Sequence, residues 1–312
     1  MTDDHLPAVV ALCRAALDLP EDAAEAEVIV TRVRETGALP GSAGPRAVAG
    51  FVAVAGDAPV GVVLGSTGHA DPSAGHVDLF AVDPAHRRRG IGRALLTRME
   101  AALAALGATE VLLAGNPPHY AWPGIDVRYT PAVCAALALG YTQDRTAWNM
   151  TADLSYDDSP ALRSTTAGER RLAEAGISVR RAGPDDLDAV VRFATANFGP
   201  AWGAEVTDSI AGTRAGCHIA VRATEEGGDE VLGFASYGSS RPSWFGPMGT
   251  ADAAQGLGIG GVLLRRCLRD QRDEGHRRAE IGWVGPVPFY AGAAGARIER
   301  VFFLYRKPLT AG

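Results

Sequence analysis

Apolar residues are spaced along this chain in two ways, one helical and one extended. Ile91, Ala94, Leu95, Met99, Ala102, Leu103 and Leu106 fall on one helical stripe, and Ile259, Val262, Leu263 and Cys267 on another. A short strand-like run precedes each stripe (residues 77–82 and 244–249), and another follows its closing glycine, Gly107 or Gly275 (residues 111–114 and 279–284). Runs 51–55 and 60–64 flank Gly56-Asp57-Ala58-Pro59 and predict a hairpin. Runs 218–223 and 231–236 predict its counterpart across an acidic, glycine-bearing loop. Residues 177–181, then Asp185-Asp186-Leu187 leading into 190–196, predict strand, N-cap and helix. The first half opens instead on a helix, 6–17, with no equivalent strand.

The two halves also share letters. Gly90-Ile91-Gly92-Arg93-Ala94-Leu95-Leu96 recurs as Gly258-Ile259-Gly260-Gly261-Val262-Leu263-Leu264, an offset of 168 residues that carries Gly107 onto Gly275. A period this long is a duplicated domain, not a solenoid unit. Two mixed α/β domains are expected, over residues 1–155 and 176–312. The polar stretch 156–175, with Ser159-Pro160 and Ser164-Thr165-Thr166, is expected as the linker.

Composition narrows the chemistry. Apolar residues make up 47% and charged residues 21%, which suits globular domains. The 30 basic residues are all Arg except Lys307, so no glycine loop here carries a phosphate-binding P-loop lysine. A net charge of −6 disfavours a general nucleic-acid or anionic-membrane binder. Cys13, Cys134, Cys217 and Cys267 lack metal-ligand spacing, and no metal is expected. There is no basic-then-apolar leader and no apolar run long enough to span a bilayer, so a soluble cytoplasmic protein, monomeric or homodimeric, is expected.

Glycines between a strand and a helix start make an anion site, because first-turn N–H groups lack internal partners and the helix dipole adds positive potential. Gly256-x-Gly258-x-x-Gly261 formally matches the dinucleotide fingerprint, but the first copy breaks it at Arg88, and each loop lies behind a hairpin, not at a first strand. Both copies share Arg87-x-x-Gly90-x-Gly92 and Gln255-x-x-Gly258-x-Gly260. That pattern, with the run Val82-Asp83-Pro84-Ala85-His86 ahead of it, resembles the coenzyme A pyrophosphate loop of the GNAT acetyltransferase superfamily.

The resemblance implies two tandem GNAT domains, each a mostly antiparallel central sheet flanked by helices, that use acetyl-CoA to acylate the amine of a small molecule by direct transfer. It implies binding of the co-substrate by Val82, Arg87, Arg88, Arg89, Gly90, Ile91, Gly92 and Arg93 in the first copy. In the second copy it implies Thr250, Gln255, Gly256, Leu257, Gly258, Ile259, Gly260 and Gly261. Val82 and Thr250 would offer the backbone N–H that meets the developing oxyanion. The family's proton donor is a Tyr on the helix after the next strand. Tyr290, in Pro288-Phe289-Tyr290-Ala291, matches that place, whereas the first copy has Ala136 there. The C-terminal domain is therefore the expected catalyst.

Glu280 in an apolar strand is expected as base, amine anchor or structural ion pair. Trp283 beside it is expected to pack or to line the acceptor site. In the first half His76 and Asp78 are base candidates or a solvated pair. Tyr120 and Tyr129 are possible substitute acids, and His86 and His119 are lone loop histidines. The tandem organisation resembles that of mycothiol synthases, although the second copy reads Trp283-Val284-Gly285-Pro286 where those enzymes carry Asp-Asn. Mycothiol synthesis, acetylation of an antibiotic or biosynthetic amine, and non-catalytic acyl-CoA binding are the alternatives.

Overall fold

The computed structural model describes residues 1–39, 44–225 and 227–309; the remainder of the expected domains lies outside that description. The first half contains helices α1 (Leu6–Ala16), α2 (Pro20–Ala24) and α3 (Ala26–Arg32), then strands β1 (Val48–Ala55), β2 (Ala58–Thr67) and β3 (Ala74–Val82). It continues with α4 (Ile91–Ala105), β4 (Glu110–Leu113), β5 (Ile125–Asp126), α5 (Thr130–Ala138) and β6 (Thr142–Asp153). The second half begins with α6 (Thr166–Glu174), β7 (Ile177–Arg181), α7 (Leu187–Phe198), α8 (Pro200–Ala211), β8 (Gly216–Ala223) and β9 (Asp229–Tyr237). It ends with β10 (Trp244–Thr250), α9 (Ile259–Asp273), β11 (Arg278–Ile281), α10 (Val287–Ala294) and β12 (Arg297–Pro308).

These elements form two compact units, Met1–Ala147 with Val301–Gly312, and Trp148–Arg300. Strands of the first unit run in the order β1-β2-β3-β4-β12, and those of the second in the order β6-β11-β10-β9-β8-β7. Among the described pairings β3–β4 and β10–β11 are parallel and the others antiparallel, so each sheet is mostly antiparallel. The first sheet starts at β1, and β7 has no counterpart there among the described residues.

Each sheet takes its last strand from the other half of the sequence. Residues 150–153 of β6, which follows α5, pair with β11; residues 305–308 of β12, which ends the chain, pair with β4. The expected boundary at residue 155 therefore falls inside the second unit. The stretch 156–175 is no linker either: Ala161 and Leu172 are 0% and 2% exposed in the second unit's core. Ala161 and Leu172 turn inward while Tyr156 stays exposed, so overall polarity conceals the two anchoring residues.

Period-two alternation splits the burial in each unit. In the first, Val62, Leu64, Leu79 and Ala81 face α1 and α3, while Val63 and Val111 face α4. In the second, Ile219, Val221 and Phe234 face α7 and α8, while Ala220 and Ala235 face α9.

Candidate active site

Both anion loops follow the same backbone course. β3 and β10 each lead through one 3-10 turn (Pro84–His86, Asp252–Ala254) into the loop that opens α4 or α9. The N-caps Gly90 and Gly258 are left-handed, with φ +83° and +87°. Two residues earlier, Gly256 has φ +81° and Arg88 φ +64°. Arg88 holds a conformation that costs an L-residue about 1 kcal/mol, so the loop geometry persists where the sequence does not provide a glycine.

No backbone hydrogen bond from the N–H groups of residues 88–93 or 256–261 occurs among the described residues; the first are Ala94 N–H to Gly90 O (3.0 Å) and Val262 N–H to Gly258 O (3.4 Å). Each loop thus presents a run of free donors at a helix N-terminus, which fits a diphosphate. Gly92 and Gly260 serve packing: a Cβ would lie 3.0 Å from Phe80 and 3.3 Å from Met248 and Phe289.

The side chains of the two loops differ. Arg88, Arg89 and Arg93 are exposed and have no ion pair among the described residues, whereas Gly256, Leu257 and Gly261 stand in their places. Arg87 is engaged elsewhere, donating to Val82 O (3.1 Å) and Ala16 O (2.7 Å) and pairing with Asp18 (3.1 Å). Gln255 likewise donates to Asp252 (2.8 Å). Both residues brace their loops.

A fork opens beside each loop. β3 pairs with β4 only over Ala74–Glu110 to His76–Leu112, and β10 with β11 only at Trp244–Glu280 and Phe245–Ile281. Beyond these points β3 and β10 continue alone on that side. Asp83 N–H donates to Val60 O and Ala251 N–H to Leu232 O, both at 2.9 Å toward the neighbouring antiparallel strand. Strand alternation then turns the N–H groups of Val82 and Thr250 the other way, into the fork.

Tyr290 lies in α10, which follows the second fork. Its ring packs edge-on against Phe245 (6.1 Å) and Phe289 (5.0 Å), and its hydroxyl has no hydrogen bond among the described residues. Burial pushes that hydroxyl's pKa upward, so it stays protonated. The matching place in the first unit, Ala136, is buried in the core.

Glu280 is only 9% exposed and is not a free carboxylate. Arg300 lies 3.4 Å away, and Asn149 donates to it at 2.5 Å. Asn149 Oδ1 in turn accepts from Trp283 N–H (2.8 Å), holding Trp283 at φ +46° at the end of the fork strand. The arrangement is a structural ion pair that fixes the local backbone. Asn149 and Arg300 were invisible as partners because they lie 131 and 20 residues away in sequence.

In the first unit the expected solvated pair is buried, His76 being 8% exposed and the Asp78 side chain 1%. Asp78 accepts from Ser66 (2.6 Å) and lies 3.6 Å from Arg46. Burial, opposed by Arg46 and Ser66, raises its pKa to about 7. His76 Nδ1 meets Ala114 O at 3.0 Å, and His86 meets Asp83 at 3.2 Å. Tyr129 donates to Asp22 (3.0 Å) and so is not a free acid. His119 is not alone: His69 Nε2 lies 2.9 Å from its Nδ1.

Each unit thus sets an anion loop beside a forked strand pair in a mixed sheet. Residues 19–121 match the acetyltransferase (GNAT) family model, so the N-terminal unit contains a GNAT acetyltransferase domain. No curated protein matches the sequence. Among solved structures, a tandem GNAT protein from the clavulanic acid biosynthesis pathway is 18% identical with TM-score 0.67, covering 99% of this chain and 96% of that one. A GCN5-related N-acetyltransferase from Sphaerobacter thermophilus is 21% identical with TM-score 0.65, covering 100% and 95%. The glucosamine N-acetyltransferase region of a fungal multi-domain GH3 β-N-acetylglucosaminidase is 18% identical with TM-score 0.70, covering 98% of this chain and 37% of that protein. At these identities the likeness is one of fold, and the fold is that of tandem GNAT proteins.

Proposed function

We propose that the protein is an acetyl-CoA-dependent N-acetyltransferase that acylates the amine of a small molecule, with the C-terminal unit as catalyst. The observation that carries this is the unbonded Tyr290 hydroxyl on the helix after the second fork. Acetyl-CoA supplies the activated acyl group. The free N–H groups of residues 256–261 suit its diphosphate. The Thr250 N–H, turned into the fork, stabilises the oxyanion that develops when the amine attacks. Tyr290, held protonated by burial, gives its proton to the departing thiolate, and the proton shed by the acylated nitrogen returns through water to the tyrosinate. Glu280 anchors the fork strand, since Arg300 and Asn149 already occupy its carboxylate.

A second reading concerns the N-terminal unit. Arg88, Arg89 and Arg93 favour acyl-CoA binding there, while Ala136 replaces the proton donor, which suits a unit that binds without this mode of turnover. A cytoplasmic setting is part of the proposal; among the described residues no helix is long and apolar enough to cross a membrane.

Thiol release from acetyl-CoA with a panel of small amines tests the reading. Gly258→Asp and Gly90→Asp each put a carboxylate among the loop donors, at positions where a Cβ meets nothing within 4 Å. Gly258→Asp should abolish amine-dependent thiol release. Wild-type rates in that variant would overturn the C-terminal assignment.

A further inference from the structure

The two units differ most in what joins the outer fork strand to the helix that follows it. In the second unit residues 282–286 join β11 to α10; in the first, residues 114–129, which include β5, join β4 to α5. Connections normally run over the surface, because a buried one must find partners for its backbone polar groups. This one is not on the surface. No residue from 114 to 126 is exposed, and Asn116, His119 and Ala121 are 3%, 6% and 1% exposed.

Hydrogen bonds fix its course. Asn116, just past β4, reaches across β3 to β2, where its Nδ2 donates to Ser66 Oγ (2.9 Å) and Thr67 O (3.0 Å) and its Oδ1 accepts from His69 N–H (3.3 Å). Ser66 is paired with His76, the residue at which the β3–β4 ladder ends, so the crossing lies at the base of the first fork. Further along, Arg32 of α3 donates to Pro118 O (2.9 Å), and Trp122 Nε1 donates to Asp22 of α2 (3.1 Å), which is 0% exposed. Between these anchors, Ala121 and Trp122 join the core formed by α1, α3 and the β3 residues Leu79 and Ala81, which flank the fork. Gly115 N–H closes the segment onto Pro123 O (3.0 Å).

The insertion therefore covers the face of the first sheet opposite α4. With a diphosphate at the start of α4, an acyl thioester reaches the fork from the α4 face, which leaves the opposite face for an attacking amine. We propose that residues 114–126 seal the first fork on that face, so that the N-terminal unit holds acyl-CoA with its thioester out of reach of acceptors. The proposal rests on the acyl-CoA reading of this unit. It adds a closure supplied by a segment that the second unit's short connection cannot form, independent of the missing proton donor at Ala136.

Gly258→Asp, which disables the C-terminal loop, isolates the first unit within the full-length protein. Equilibrium dialysis should then show a single acetyl-CoA bound per chain, and adding Gly90→Asp should abolish that binding. With protein in excess, hydroxylamine should release thiol from bound acetyl-CoA at least about tenfold more slowly than from free acetyl-CoA. Adding Asn116→Ala and Trp122→Ala, which removes two anchors, should bring the rate within about twofold of the free thioester while binding persists. Hydrogen–deuterium exchange reads the seal with no substitution at all. In the unmodified protein the peptide 114–124 should exchange as slowly as β2, and ethylamine should not speed it. A bound thioester that reacts at the free rate, shielding that survives loss of both anchors in a folded variant, or fast exchange of the peptide would overturn the seal. Failure of the Gly258→Asp protein to bind acetyl-CoA would instead overturn the acyl-CoA reading, and the proposal with it.

Discussion

A chain cut at residue 155 ends where sequence alone places the domain boundary, yet it lacks the strand that completes its own sheet. Residues 305–308 of β12 pair with β4, and Phe302 and Phe303 pair with β5. Phe302, Leu304 and Tyr305 are 0%, 2% and 2% exposed. Burying each such side chain is worth about 1.5–3 kcal/mol. Their loss therefore removes about 5–9 kcal/mol before any ladder hydrogen bond is counted, against a total of about 5–15 kcal/mol for a typical domain. β4 would also become an open edge prone to pairing between chains. Expressed alone, residues 1–155 should show no cooperative urea transition and should aggregate. The same fragment with residues 297–309 appended through a flexible linker should regain near-ultraviolet circular dichroism and a sigmoidal transition. A monomeric, cooperatively unfolding 1–155 fragment would refute the strand exchange.

Two further substitutions probe the buried charges. Asp78 has its folded pKa raised from 3.8 to about 7, so the stability it contributes is full below pH ~4 and is lost as pH rises toward 7, by about 4 kcal/mol. Asp78→Asn should flatten that slope in urea midpoints measured from pH 4 to 8; an unchanged slope would contradict it. Glu280→Leu takes the acceptor from buried Asn149 Nδ2 and should cost about 1–3 kcal/mol by thermal unfolding. A loss below 1 kcal/mol would mean the pair is not structural.

Much of the fold was legible because its signals are local. The glycine loops, the hairpins β1–β2 and β8–β9, and helices α4 and α9 follow from spacing within a few residues of each position. The strand exchange was not legible, since the partners of β6 and β12 are set by which sheet edge lies open and not by anything within the strands. Site chemistry divides the same way. Loop N–H groups can be inferred from Gly90 and Gly258, whereas Tyr290 is singled out only through the family resemblance of its segment. By contrast, Glu280 could not be separated from a free base until Asn149 and Arg300 were seen beside it. His119 reads as solitary in the sequence because His69 is 50 residues away. Arg88 shows the limit from the other side: a non-glycine holds the left-handed turn that its counterpart Gly256 takes freely.

The central claim is that the second unit transfers an acetyl group with Tyr290 as proton donor, and the Tyr290→Phe variant tests it most directly. The ring packs against Phe245 and Phe289 and the hydroxyl has no hydrogen bond among the described residues to lose, so the fold should survive. Steady-state thiol release with an accepted amine should show kcat reduced by about 10²–10⁴, with the KM for acetyl-CoA within about twofold of wild type. A kcat within about twofold of wild type would contradict the account, because general acid catalysis cannot be lost at so small a cost.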